Sequence, residues 1–216
     1  NKNNFFTDVS NYIAYEMGQP THSYDFSLIG GDITLDQING NYEFKTVLEN
    51  VIDLKESNLV FTSEEKIINL SGIIGGAETA CSKHTTNSLV ECAYFNPESI
   101  SGKAVKYNIH SDSSHKFERG TDHKCHEKVL RRFIQIVSEH AEIIKLELYK
   151  NNNVFEEIEL DFDLNKINKI LGIHATKEDY KDSLIKLGFS IEETIKVPSY
   201  RSDIKHQNDL AEELAR

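Results

Sequence analysis

Tryptophan is absent from this chain of 216 residues, and proline and cysteine occur three times each. Cys81, Cys92 and Cys125 are odd in number and lack CxxC spacing, which argues against a disulfide framework or a zinc site and fits a reducing cytoplasm. No apolar run approaches membrane-spanning length, no signal peptide opens the chain, and no low-complexity tract interrupts it. Positive charge is also scarce: 24 Lys and Arg stand against 35 Asp and Glu, a formal net charge of -11. That balance argues against a domain that grips nucleic acid mainly by neutralising phosphates. Neither a dinucleotide-binding GxGxxG nor a GxSxG nucleophile elbow is present.

What remains is the composition of a soluble globular protein, 38% hydrophobic and 27% charged. The length suffices for one large domain, or for a medium one and a small one. The chain starts at Asn1 without Met and stops at Arg216 inside the helical pattern "NDLAEELAR", so a piece of a longer protein is expected.

The stretch "FFTDVSNYIAYEMGQP" carries Val9, Tyr12, Ile13 and Met17 at helical spacing, with Asp8 or Ser10 suited to its start and Gly18 and Pro20 to its end. His22 follows directly. From Ile33 to Leu70 the pattern becomes short strands, "DITLDQI", "YEFKTVL", "NVIDL", "NLVFTS" and "KIINLSGII", whose near-regular turns predict a meander or small barrel. "SGIIGGAET" then sets Gly72, Gly75 and Gly76 after an apolar strand, either as a tight turn or as a ligand-facing loop. Val129, Phe133, Ile136 and Val137 mark an amphipathic core helix. The polar "KNNN" at 150–153 reads as a linker into a smaller unit of helix, helix, strand-like arm and helix. There Gly172 and Gly188 are placed as helix stops, and Ser202 or Asp203 as a cap.

Glu91 stands out in "LVECAYF", because an ionised carboxylate in a buried strand is costly unless it is paired or protonated. Period-two alternation puts it on one face with Leu89, Ala93 and Phe95. Such a carboxylate either pairs with a nearby cation or backbone donor, or waits in an apolar pocket for a ligand donor. Among nine histidines, His22 is distinguished by the fixed approach of Gly18 and Pro20, while His110 and His115 fall in the polar loop "NIHSDSSHKFERGTD". Histidine, cysteine and aspartate lack metal-ligand spacing. A triad from Ser111, Ser113, His22 and Asp112 is conceivable, but serines in a turn are more often caps than nucleophiles. Glu118, Arg119 and Asp122 in "HKFERGTD" read as a salt-bridged loop.

Taken together, these phrases resemble the beta subunit of bacterial phenylalanyl-tRNA synthetase. "TDVSNYIAYEMGQPTHSYD" is similar to that family's "DVTNY...ELGQP.HAFD", "SGIIGGAET" to its "GI.GG..S" loop, "TTNSLVECAYFNPESI" to its "T.N...E.A.F.P.SI" strand, and "SDSSHKFERGTD" to its "T.AS.RFERGVD" loop. The resemblance implies an α+β fold: a beta-rich editing domain with flanking helices over residues 1–150, then a small winged-helix-like scaffold domain over 151–216, truncated at its C-terminus. It also implies a role. The family's alpha subunit makes the aminoacyl ester, and a second site in the beta subunit hydrolyses mischarged tyrosyl-tRNA.

By this resemblance Glu91 reads the tyrosine hydroxyl and His22 orients substrate, terminal adenosine or the attacking water. Ser10 and Asn11 match a Thr-Asn pair of the site, Gly75 lines the pocket, and Ser111 and Ser113 match loop positions that contact substrate or shape the pocket. Hydrolysis of a reactive ester needs mainly a positioned water and stabilisation of developing charge. The expected setting is a cytoplasmic heterotetramer of two alpha and two beta subunits that binds tRNA, with no cofactor or metal in this segment and ATP and magnesium handled elsewhere in the enzyme. Asn1, Ser10, Ser111, Ser113 and Lys116 depart from the family pattern. The loss of a cation at Asn1 and the added hydroxyl at Ser113 support an alternative, a segment deficient in editing that only positions other domains and tRNA.

Overall fold

The computed structural model describes residues 4–151 and 155–215, so Asn1, part of the 150–153 linker and Arg216 lie outside the described residues. The chain divides into two compact units, residues 1–121 with 125–147, and residues 122–124 with 148–216.

The first unit opens with helix α1 (Phe5–Met17), which starts where the Asn4 side chain accepts the Thr7 N–H and stops at Gly18, φ +74°. Neither Asp8 nor Ser10 is the cap, because the capping oxygen lies one residue before the stretch that reads as helical. Asp8 falls in the first turn and Ser10 is buried. Gly18 and Pro20 then deliver the chain into β1 (His22–Asp25).

Strands β2 (Ile33–Asn39), β3 (Tyr42–Lys45), β4 (Val51–Leu54), β5 (Ser57–Ser63), β6 (Lys66–Leu70), β7 (Ile74–Gly75) and β8 (Ser88–Glu91) follow. All pairings are antiparallel: a four-stranded sheet in the order β2-β5-β6-β7, the hairpin β3-β4, and the pair β1-β8. The expected strands are present, but neither a simple meander nor a barrel results. β2 skips the hairpin to pair with β5 and remains an edge strand, with five of its seven residues exposed. Closure depends on long-range pairing, which turn spacing does not encode.

Phe44, Leu54, Val60, Leu70, Phe95 and Ile100 fill the core under these strands. The short helices α2 (Pro97–Ile100), α3 (Lys103–Lys106) and α4 (Asp112–Phe117) add Ile100, Ala104 and Phe117 to it. Helix α5 (His126–His140) packs Val129 and Phe133 on Val9 and Ile13 of α1, as its apolar stripe predicts. Arg132 and Glu16 clamp the pair from outside at 2.7 Å.

The second unit contains β9 (Glu159–Leu160), α6 (Leu164–Leu171), α7 (Lys177–Lys186), β10 (Ser190–Ile191), β11 (Ile195–Lys196) and α8 (Gln207–Ala215). The strands form one antiparallel sheet, β10-β11-β9, and Ile167, Leu184, Phe189, Ile195, Ile204 and Leu210 form the core. The strand-like arm of the sequence pattern is thus partly a sheet strand. Gly172 stops α6 at φ +68°, and Gly188, φ +91°, follows the α7 cap residue Leu187. Ser202 and Asp203 do not cap α8: Asp209, one turn inside, accepts the Lys205 and His206 N–H groups, while Asp203 pairs with Arg201. The architecture is mixed α+β throughout, in agreement with the class implied by sequence.

Candidate functional site

β1 and β8 pair so that His22 lies opposite Glu91 and Tyr24 opposite Leu89. Directly opposed residues share a face, and alternate residues of one strand do too, so His22, Tyr24 and Glu91 converge on one side of this ribbon. The Tyr24 hydroxyl donates to Glu91 Oε2 at 2.6 Å. Asn69 Nδ2, from β6, donates to the Tyr24 oxygen at 2.8 Å and lies 3.5 Å from the same carboxylate oxygen. Glu91 is therefore paired with neutral donors and, among the described residues, with no cation. Its strand ends at Glu91 itself, so the alternation expected through Ala93 and Phe95 fails. The buried Gln19 side chain, which donates to the Ala93 carbonyl at 2.8 Å, holds the chain where it leaves the ladder.

Burial sets the electrostatics here. Desolvation raises the Glu91 pKa to about 7, partly opposed by the Tyr24 hydrogen bond, and lowers that of His22 to about 4. Near neutral pH His22 is an uncharged imidazole and Glu91 is divided between its acid and its anion. The Tyr24 phenol is held well above its ordinary range, first by burial and then by the charge of Glu91, and stays protonated. The His22 and Tyr24 rings meet edge to face, with centroids 4.4 Å apart. His22 Nε2 is shielded from solvent and makes no hydrogen bond among the described residues.

Gly75 closes the other side of His22. A Cβ at position 75 would run into the imidazole at Cε1 and Nε2, so the residue gives close approach rather than a positive φ. Ser111 is tied to the same strand end: its hydroxyl donates to the Ile73 carbonyl at 2.7 Å and accepts the Ser114 N–H as the N-cap of α4. It acts as a cap, one of the roles expected for it.

The remaining expected residues are placed less uniformly. Ser10 is buried and shares a 2.9 Å hydroxyl contact with Ser23 of β1. Asn11, next along α1, is exposed and turns away from Ser10 by one helical step. Ser113 is half-buried in α4. His110 is exposed in the turn before α4, and His115 lies on α4 against the Arg119 guanidinium, 2.8 Å away. Arg119 also pairs with Glu118 at 3.0 Å, whereas Asp122 accepts the Lys124 N–H.

Tyr24 and Asn69 belong to the constellation, and residue-type reasoning missed both. The only signal was position: Tyr24 is two residues from His22, and Asn69 is a lone amide in the apolar "KIINL". A cleft of about 250 Å³ lined by Thr46, Leu48, Ile74, Tyr107 and His110 contains none of these groups. No group of three or more His, Cys, Asp or Glu side chains suited to a metal ion occurs among the described residues. None of their helices is long and apolar enough to cross a membrane.

Residues 1–142 match the model of the B3/4 domain. The chain belongs to the B3/4 domain family. Residues 160–216 match a second model, the tRNA synthetase B5 domain, so the B3/4 part contains the β1–β8 pair and the B5 part contains α6, α7, α8 and strands β10 and β11. The chain is 33% identical over 218 residues to a phenylalanine-tRNA ligase beta subunit of Pseudoalteromonas translucida, covering 97% of this chain and 27% of that protein. The corresponding subunit of Francisella tularensis is 33% identical over 222 residues, with 98% and 28% covered. The resemblance to this beta subunit seen in the sequence is thereby borne out, and the chain spans about a quarter of the length of the relatives it matches. A solved N-terminal fragment of the phenylalanyl-tRNA synthetase beta subunit from Pyrococcus horikoshii overlays with a TM-score of 0.42 at 15% identity, over 97% of this chain and 64% of that one.

Proposed function

We propose that this B3/4 unit hydrolyses mischarged tyrosyl-tRNA within a phenylalanine-tRNA ligase, and that Glu91 reads the para hydroxyl of tyrosine. The observation that carries the reading is the opposition of Glu91 and His22 across β1 and β8, with Gly75 packed on the imidazole. A half-buried acceptor of raised pKa suits a phenol donor and penalises phenylalanine, which would leave the carboxyl oxygen not bonded to Tyr24 desolvated and without a donor. A neutral imidazole beside it suits the orientation of a water or of the ester carbonyl. Ser10, Asn11, Gly75, Ser111 and Ser113 are assigned the substrate-lining roles that the family pattern gives them.

In this reading the whole enzyme is cytoplasmic, pairs two such beta subunits with two alpha subunits, and binds tRNA. ATP and magnesium serve aminoacylation outside this segment. The 1–150 part does the editing, and the 151–216 part acts as scaffold.

A second reading is a segment that has lost editing and only positions other domains and tRNA. One observation favours it: Glu91 Oε2 already holds a phenol, that of Tyr24. Deacylation of tyrosyl-tRNA by the full two-subunit enzyme, native and with Glu91→Ala or His22→Ala, separates the two. Editing requires clearance by the native enzyme, lost in both variants, with phenylalanine charging intact. A native enzyme that leaves tyrosyl-tRNA untouched leaves only the scaffold.

A further inference from the structure

Two oxygens of Glu91 face two different tasks. Oε2 takes the Tyr24 hydroxyl at 2.6 Å and lies 3.5 Å from the Asn69 amide nitrogen, while Oε1 has no hydrogen-bond partner among the described residues. The direction of the first bond follows from its neighbour. Asn69 Nδ2 donates to the Tyr24 oxygen, so the single phenolic proton is directed to the carboxylate. The amide itself is oriented by the same logic, since both atoms it approaches are acceptors.

Tyr24 is also held in place on every side. It is 1% exposed, its backbone is paired with Leu89 on one edge and bridged to Ala80 on the other, and its ring packs against His22. A phenol so fixed cannot swing out to make room for a substrate. It shares the carboxylate with whatever binds there.

We propose that Tyr24 is a positioning residue for the Glu91 acceptor: its hydroxyl occupies Oε2 and fixes the carboxylate so that Oε1 alone is presented to an incoming phenol. The inference rests on the editing reading above and deepens it. It assigns Tyr24 and Asn69 to specificity without placing either against the substrate. It also resolves the conflict between an occupied carboxylate and a carboxylate that reads substrate, because an ionised carboxyl group has acceptor sites on both oxygens.

Removing the hydroxyl has two separable effects. The carboxylate loses its anchor, and it loses a donor that lowers its pKa, so ionisation moves above about 7. The titratable groups around it are His22 and Tyr24 of β1, with Cys92 beside it in the chain and Cys125 near Cys92. Of these, His22 is neutral throughout the relevant range, and burial keeps the Cys92 thiol protonated.

The test uses the full two-subunit enzyme and its Tyr24→Phe variant, with tyrosyl-tRNA deacylation followed from pH 6 to 9. The expected result is a loss of about tenfold below neutral pH, the worth of one hydrogen bond, that shrinks as pH rises and Glu91 ionises. The ionisation limb of the variant shifts to higher pH, and charging with phenylalanine is unchanged. In parallel, the carboxyl carbon of Glu91 is titrated by NMR in both proteins, and its midpoint is expected to rise in the variant. Native clearance matched by the variant in rate and pH profile overturns the inference alone. An unmoved Glu91 midpoint overturns it as well, whatever the activity. Absence of clearance by the native enzyme overturns the editing reading and, with it, the acceptor role of Glu91.

Discussion

The His22 ring stands where a side-chain carbon at position 75 would have to be, so the imidazole keeps its place against β7 only while residue 75 is glycine. Gly75→Ala forces either the ring or the strand to move, at a cost of about 1–3 kcal/mol for overpacking. Clearance of tyrosyl-tRNA by the full enzyme is expected to fall with His22 displaced, even where circular dichroism shows the fold intact. Full clearance in a folded Gly75→Ala enzyme would separate the position of His22 from the chemistry.

His22 and Glu91 titrate in opposite senses across nearly one window. The folded protein holds the Glu91 proton up to about pH 7 against a reference of 4.5, so it binds more protons than the unfolded chain and loses stability as pH rises through that range. Folded His22 releases its proton near pH 4 against a reference of 6.5, so it binds fewer and gains stability as pH rises. Each shift is worth about 3 kcal/mol, and the two nearly cancel between pH 4.5 and 6.5. Urea unfolding is expected to show His22→Gln losing stability and Glu91→Gln gaining it over that window, relative to native protein. Parallel curves for both variants would contradict the opposed titrations.

Ser111 and Ser113 are two residues apart and have different duties. Ser111→Ala removes the α4 cap and the bond to Ile73 that fastens this loop beside Gly75, a loss of about 1–2 kcal/mol. Ser113 makes no such bond among the described residues, and Ser113→Ala is expected to stay within about 0.5 kcal/mol. Thermal melts of the two variants check the difference. A faster clearance of tyrosyl-tRNA by Ser113→Ala would show that its hydroxyl weakens editing.

Gly188 governs the smaller unit. It adopts φ +91°, and a Cβ there would meet the Tyr200 hydroxyl, which bonds the Leu187 carbonyl at 2.8 Å. Gly188→Ala combines about 1–2 kcal/mol of left-handed strain with that clash. Amide exchange in the whole chain is expected to quicken at Leu184 and Ile195 of this unit and to stay unchanged at Leu70 and Val129 of the other.

Sequence alone determined the parts that local chemistry dictates. Apolar spacing marked α1 and α5, alternation and turns marked the strands from 33 to 70, Gly18 and Gly172 stopped helices because a positive φ suits glycine, and an acid in an apolar run marked Glu91. The start of α1 was misplaced, because Asp8 and Ser10 suit a cap by residue type while the capping oxygen belongs to Asn4, just before the stretch that reads as helical. Tertiary structure decided everything that depends on partners far along the chain. The donor to Glu91 comes from 67 residues away and the amide behind it from 22, the β2-β5 pairing skips a hairpin, and His22 is neutral because strands and a glycine enclose it. Spacing in sequence encodes the phase of a helix or strand. Hydrogen-bond partners, burial and the pKa values they set arise only when distant segments pack, and it is there that an ordinary core tyrosine becomes the neighbour that holds a carboxylate in place.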